Sequence, residues 1–195
     1  MEHGRLPWPR LAELDGTQST LHASITGGPR AVTRAFPMTD EEGRLYGPFN
    51  AMVLEPVVGA VVSELGVALR YHSLVPARMR EVAICEVAGT TRSEFEWFAH
   101  ASIARGLGLS EEDLDAIRTG QVAPGLDGDE SLARRLAHEL VTKRDLDDAA
   151  YAEGVEHLGL EVLIDLVSLV GFYAMIATIL ATFKVPLPPG IATVF

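Results

Sequence analysis

Apolar residues in the middle of the chain fall at helical spacing. Phe49, Met52, Val53, Pro56, Val57, Ala60, Val61 and Leu65 recur at intervals of three and four. That periodicity predicts an amphipathic helix, bent or broken at Pro56. Pro76 suits the first position of the next helix, and Gly89 its end. Between them, Met79 to Ala88 is apolar on nearly every side, so this helix is predicted to be buried all round, with Glu81 and Glu86 as exceptions. Ser93-Glu94-Phe95-Glu96 has the form of a capping box and opens a helix that runs to about Arg105, closed by Gly106 and Gly108. Ser110 caps a short acidic helix from Glu111 to Arg118. After a loop from Gln121 to Gly128, further helices are predicted at Asp129 to Lys143, Leu146 to His157 and Glu161 to Phe183.

The flanks read differently. Residues 1–38 are rich in Gly, Pro, Ser and Thr and predict an irregular arm with little helix. Thr39-Asp40-Glu41-Glu42 fits a second capping box, with a short helix ending near Gly47-Pro48. Val185-Pro186-Leu187-Pro188-Pro189-Gly190 predicts an extended tail. No strand pattern or repeat emerges. The expected architecture is an all-α, single-domain bundle of seven to eight helices over residues 39–184, with an arm at 1–38 and a tail at 185–195.

One stretch, Leu166 to Phe183, is 18 residues without a charge, the minimum length for a membrane span. Glu161 and Asp165 flank its start, and Ser168, Tyr173, Thr178 and Thr182 interrupt it. Gly171, Ala174, Ala177 and Ala181 form a row of small residues that allows close helix approach. A core or subunit-interface helix is the expectation, with no membrane.

With 195 residues, 48% of them apolar and 22% charged, the chain suits one domain with a substantial core. Its net charge of -11 opposes nucleic-acid binding, which needs a basic stripe, and docking on an anionic membrane. Cys85 is the single cysteine, so a disulfide within the chain and a cysteine-based zinc site are ruled out. A reducing, cytoplasmic setting is expected.

The candidate chemistry lies between Arg80 and His100. Glu81 is a carboxylate on an apolar helix, where charge needs a partner. Glu96 and His100 stand at i and i+4, sharing a helix face, so that Glu96 is placed to orient the imidazole and raise its pKa. Phe95, Trp97, Phe98 and Ile103 supply apolar surroundings. Each group also has a plain structural reading: Glu96 as the capping-box acid, His100 as a core histidine, Glu81 as a salt-bridge partner. Arg70, Arg78 and Arg80 are the local cations for a substrate carboxylate. Trp97, Asn50, Tyr46, Arg80 and Tyr173 are the candidate substrate-binding groups. No metal site is expected.

Arg80-Glu81-Val82-Ala83-Ile84, Glu94 to His100 and Ala104 to Ser110 together resemble the carboxymuconolactone decarboxylase family. So do Gly47 to Ala51, Leu69-Arg70-Tyr71, Gly171-Phe172-Tyr173 and Val185 to Gly190. The resemblance covers most of residues 40–190. It implies the all-α alkylhydroperoxidase-D-like fold, a homo-oligomer (trimer or hexamer), and chemistry without a metal or organic cofactor. In the peroxidase branch a glutamate is followed by two cysteines and a histidine; counted from Glu81, these positions hold Ser93, Glu96 and His100. Without the cysteine pair, thiol peroxidase activity is not expected. The resemblance implies a decarboxylase-type lyase acting on a small carboxylated lactone or related cyclic acid, with His100, Glu96 and Glu81 as catalytic groups. Alternatives are a hydrolase, isomerase or cyclase on the same scaffold, or a non-catalytic helical oligomer.

Overall fold

The computed structural model describes residues 2–29 and 36–195. Among them are nine α-helices, and the fold is all-α. The helices are α1 (Gly16–Gly27), α2 (Pro48–Leu54), α3 (Pro56–Tyr71), α4 (Ala77–Thr91), α5 (Glu94–Gly106), α6 (Glu111–Thr119), α7 (Gly128–Lys143), α8 (Asp148–Leu158) and α9 (Leu160–Thr182).

The sequence explains why α4 is central. Its residues from Glu81 to Ala88 are all buried, and it packs against α5, α6, α7 and α9. One face, with Ala83, Ile84 and Val87, joins a core built with Leu132 and Leu136 of α7 and Leu166 and Leu169 of α9. The opposite face, with Val82, Cys85 and Ala88, joins a second core containing Trp97, Ala101, Leu114 and Ile117. A helix apolar all round needs apolar partners on both sides, and the fold supplies them.

Gly89 does not end α4. The helix runs two residues further, and Arg92, in the left-handed region at φ 53°, caps it. Pro56 does break the amphipathic run: α2 stops at Leu54 and α3 starts at Pro56, with the Glu55 carboxylate accepting from Val58 N–H at 2.9 Å. The two helices meet so closely that a Cβ on Gly59 would lie 2.0 Å from the carbonyl oxygen of Met52. Gly59→Ala would normally favour a helix by about 1 kcal/mol. Here the clash is with backbone, and the substitution is expected to destabilise by about 2–3 kcal/mol in urea denaturation. A neutral or stabilising result would contradict this packing.

The segment before residue 39 departs from expectation. Instead of an arm with little helix, it contains α1, started by a capping box between Asp15 and Gln18 and held by buried Leu21 and Ile25. Burial of that face outweighs the poor helix propensity of its Gly, Ser and Thr residues. Ahead of it, Glu2–His3 and Leu6–Pro7 form a two-residue antiparallel ribbon. Arg30 to Ala35 of the expected arm lie outside the described residues.

The short helix expected after Thr39 is absent. Asp40 Oδ1 instead accepts from the N–H groups of both Glu42 and Arg44 at 2.9 Å, and Thr39 bridges to Leu45. An aspartate that captures nearby backbone N–H groups competes with helix formation, and Gly43, at φ 75°, completes the turn.

Helix α9 is long and apolar enough to cross a membrane, with a mean hydropathy of 2.2. Its inner face, including Leu163, Leu166, Leu169, Phe172, Tyr173 and Ile176, packs into the bundle. The outer face leaves Ile164, Val167 and Met175 exposed beside Gly171 and Ala181. The residues after α9 are non-helical, as predicted, but the tail turns at Pro189-Gly190, where Ile191 N–H donates to the Pro188 carbonyl at 3.3 Å. The chain end docks on α5, where the Glu94 carboxylate accepts from Val194 and Phe195 N–H at 2.9 Å each.

Candidate active site

Packing of α4 against α5 brings Glu81 and His100 together. Glu81 Oε2 lies 2.6 Å from His100 Nδ1, and both side chains are buried. Glu81 Oε1 faces two cations, Arg80 Nε at 3.5 Å and Arg70 from α3 at 3.9 Å. Burial pushes the Glu81 carboxyl up, but His100, Arg70 and Arg80 together outweigh it, and the group sits below the ordinary carboxylate range. It is therefore ionised, and Nδ1 carries the hydrogen. Burial holds His100 below its ordinary value: Glu81 pulls upward, while Arg70 and Arg80 add to the lowering. The resting imidazole is neutral, with the lone pair on Nε2.

His100 lines a cavity of about 80 Å³. Much of its wall is apolar, from Phe36, Met38, Phe49, Phe95, Phe172 and Ile176; the polar groups are Arg70, Glu96, His100 and Tyr173. Tyr173 meets the imidazole edge-on, with ring centroids 4.9 Å apart. The enclosure is small against the roughly 300–1,000 Å³ typical of pockets for drug-sized ligands.

Glu96 does not orient His100. It is only 3% exposed, and among the described residues neither carboxylate oxygen has a hydrogen-bond partner. Burial pushes its pKa up to about 8; the Ser93 hydroxyl works the other way, but forms no hydrogen bond of good geometry with it. Its place in the first turn of α5 favours a negative charge by about 0.3–1 kcal/mol, too little to offset a shift worth several kcal/mol. Nor does Ser93 cap the helix through its side chain.

The other predicted groups scatter. Tyr173 is on the cavity wall, and Arg80 stands behind it, against Glu81. Trp97 faces the second core and meets Phe195 edge-on at 5.7 Å. Asn50 is 2% exposed and donates to the Pro7 carbonyl at 2.9 Å, tying down the N-terminal ribbon. Tyr46 packs beside His3 and Trp8, away from the cavity. Of the three cations, Arg70 alone lines the cavity, and Arg78 is engaged with Glu130 and the Gly125 carbonyl. Phe95, Ile103 and Tyr173 of this wall were read from the sequence; Phe36, Met38, Phe49, Phe172 and Ile176 were not, although Phe172 and Ile176 share helical spacing. Among the described residues, no group of three or more His, Cys, Asp or Glu side chains is arranged to hold a metal ion.

Residues 56–139 match the Carboxymuconolactone decarboxylase family. The resemblance to that family spans 84 of the 195 residues of the chain. Its fold is similar to the alkylhydroperoxidase AhpD core of an uncharacterized peroxidase-related protein from Ralstonia eutropha JMP134, with a TM-score of 0.75 and 14% identity over 97% of this chain and 94% of that one. An uncharacterized peroxidase-related protein from Silicibacter sp. TM1040 gives a TM-score of 0.74 and 14% identity over 95% and 92% of the two chains. A cysteine-to-alanine variant of the debrominase Bmp8, in complex with 2,3,4-tribromopyrrole, gives 0.69 and 11% identity over 89% and 87%. No curated protein matches in sequence. Within the matched stretch, Cys85 is completely buried, and burial pushes its thiol well above the ordinary value. It is on α4, facing the second core, and does not line the cavity.

Proposed function

We propose that the protein is a cofactor-independent acid/base enzyme acting on a small carboxylated lactone or related cyclic acid, and that its reaction is a decarboxylation of the lyase type. The observation that carries this reading is the buried Glu81–His100 pair on the wall of a small cavity that also contains Arg70. The family match over residues 56–139 supports the reaction class, and a debrominase of similar fold holding a halogenated pyrrole supports a small ring as occupant. Arg70 and Arg80 share the single charge of Glu81, so the site is short of one negative charge, which a carboxylate ligand supplies.

An anion entering beside a neutral imidazole raises its basicity. Substrate entry thus draws a proton from solvent onto His100 Nε2, while Glu81 holds Nδ1. Loss of carbon dioxide breaks the carbon–carbon bond and leaves the electron pair on the ring as a dienolate. His100 returns the proton to carbon, and the imidazole is neutral again. Arg70 anchors a carboxylate that stays on the ring: pairing with the departing one would stabilise the ground state and slow the reaction.

The protein is proposed to act as a cytoplasmic homo-oligomer, a trimer or hexamer, with the exposed apolar face of α9 at the interface. Thiol peroxidase activity is not expected, since Ser93 and Glu96 stand where that chemistry needs cysteines.

His100→Gln keeps the size and polarity of the side chain and removes the titrating nitrogen. Carbon dioxide release from carboxylated lactones is expected to fall about 100-fold or more, with the circular dichroism spectrum unchanged. Turnover like that of the wild type in this variant would sink the assignment.

A further inference from the structure

The proton path through His100 and the anchor at Arg70 leave two polar groups of the cavity unused, Glu96 and Tyr173. Glu96 presents two buried oxygens with no hydrogen-bond partner among the described residues, at the wall of the same cavity. Among the described residues, the charged and titratable groups around it are His100 on its own helix, Arg70 from α3 and Tyr173 from α9, with Glu81 and Arg80 of α4 behind His100. An ionised carboxylate offers only acceptors and finds no donor among the described residues. A neutral carboxyl offers one O–H, which costs about 1–3 kcal/mol while buried and unpaired. A ligand oxygen removes that cost. A cationic ligand group is disfavoured, because two guanidiniums already share one carboxylate beside the cavity.

We propose that Glu96 is a specificity-determining residue whose carboxyl O–H donates a hydrogen bond to a ring carbonyl of the ligand, so that the cavity selects cyclic acids with a carbonyl set apart from the carboxylate that Arg70 anchors. The inference rests on the reading of this cavity as a site for carboxylated rings. During turnover, the electron pair left by carbon dioxide spreads onto that carbonyl oxygen, and the hydrogen bond from Glu96 strengthens as the charge develops. Glu96 keeps its proton; the ring carbon receives its hydrogen from His100. A burial-raised pKa of about 8 leaves Glu96 protonated at neutral pH and ionised in mild alkali. Selection for the carbonyl is therefore lost as the pH rises through that value.

Two probes separate the carbonyl from the ring: 3-oxocyclopent-1-ene-1-carboxylate and cyclopent-1-ene-1-carboxylate. Calorimetry on the wild-type protein at about pH 6.5 is expected to show the oxo acid binding about tenfold tighter or better. At about pH 9.5 that preference disappears, because an ionised Glu96 repels the carbonyl oxygen. Glu96→Gln retains an N–H donor and is expected to keep the preference at both pH values. Equal binding of the two probes at the lower pH, or a wild-type preference unchanged at the higher one, overturns the role of Glu96 and leaves the cavity as a ring-acid site. Loss of the preference at the higher pH in Glu96→Gln as well overturns it too. Failure of both probes to bind overturns both this inference and the reading beneath it. In the wild-type protein, the carbon-13 shift of the Glu96 carboxyl gives a second measurement: bound oxo acid is expected to raise its titration midpoint, and an unchanged midpoint counts against the proposal.

Discussion

Replacing Glu81 with Ala is expected to cost about 3–5 kcal/mol of folding stability, the range for a buried charge deprived of its partner. The ion pairs of Arg70 and Arg80 both run to this carboxylate, as does the hydrogen bond from His100 Nδ1. Removing it leaves two largely buried guanidiniums repelling each other and an imidazole N–H unpaired. Against a total stability of about 5–15 kcal/mol, the loss is severe. Urea denaturation of the variant measures it, and a change below about 1 kcal/mol would show that the arginines are balanced by something else. Adding Arg80→Met to Glu81→Ala tests the cause: if unbalanced positive charge is the main cost, the double variant recovers part of the stability. The pH dependence follows the same logic. The folded pKa of Glu81 lies below its ordinary value of 4.5. Its contribution is therefore present above that value and is lost as the pH falls through the folded pKa.

How much of this site was legible in the sequence depends on how each residue is placed. Helices α4 and α5 were readable because their signals are local: an apolar run, and turn residues at the ends. Glu81 and His100 stood out as polar groups in apolar surroundings, but their pairing did not. Spacing along a helix favoured Glu96 as the partner of His100, because i and i+4 share a face. Sharing a face does not require contact, and the actual partner arrives from α4 through tertiary packing. The misplaced substrate groups fail for related reasons. Trp97 is one residue from Glu96, yet about 100° round the helix, and so reaches the opposite core. Asn50 was a polar residue in an apolar run, and its partner is a backbone carbonyl 43 positions away. Phe36 and Met38 belong to a stretch whose composition reads as coil, and only the fold sets them against α5 and α9. The choice of Arg70 over Arg78 and Arg80 needed the ion pairs of all three.

Glu96→Gln is expected to make the protein more stable in alkali, by an amount that depends on pH in a defined direction. The Glu96 carboxyl has a pKa raised from 4.5 to about 8 in the folded protein. Below about 4.5 both folded and unfolded chains hold the proton, and the group costs nothing beyond its unpaired O–H. Between these values the unfolded chain releases a proton that the folded chain keeps, so stability falls as pH rises. Above about 8 the carboxylate ionises in place, and the penalty stops growing. About 3.5 pH units at about 1.4 kcal/mol each gives a loss on the order of 5 kcal/mol. Gln does not titrate and escapes that loss, although its own amide also stands unpaired in the cavity at every pH. Thermal melts are therefore expected to show little gain, or a small deficit, at about pH 5, rising to roughly 10 °C in favour of the variant by about pH 9. Titration of other groups affects both proteins alike and largely cancels in the difference. A pH-independent difference between the two melting temperatures would mean that Glu96 finds a partner in solution and ionises normally. Such a result would also remove the neutral donor from the cavity and, with it, the basis for selecting a ring carbonyl, while leaving the Glu81–His100 pair in place.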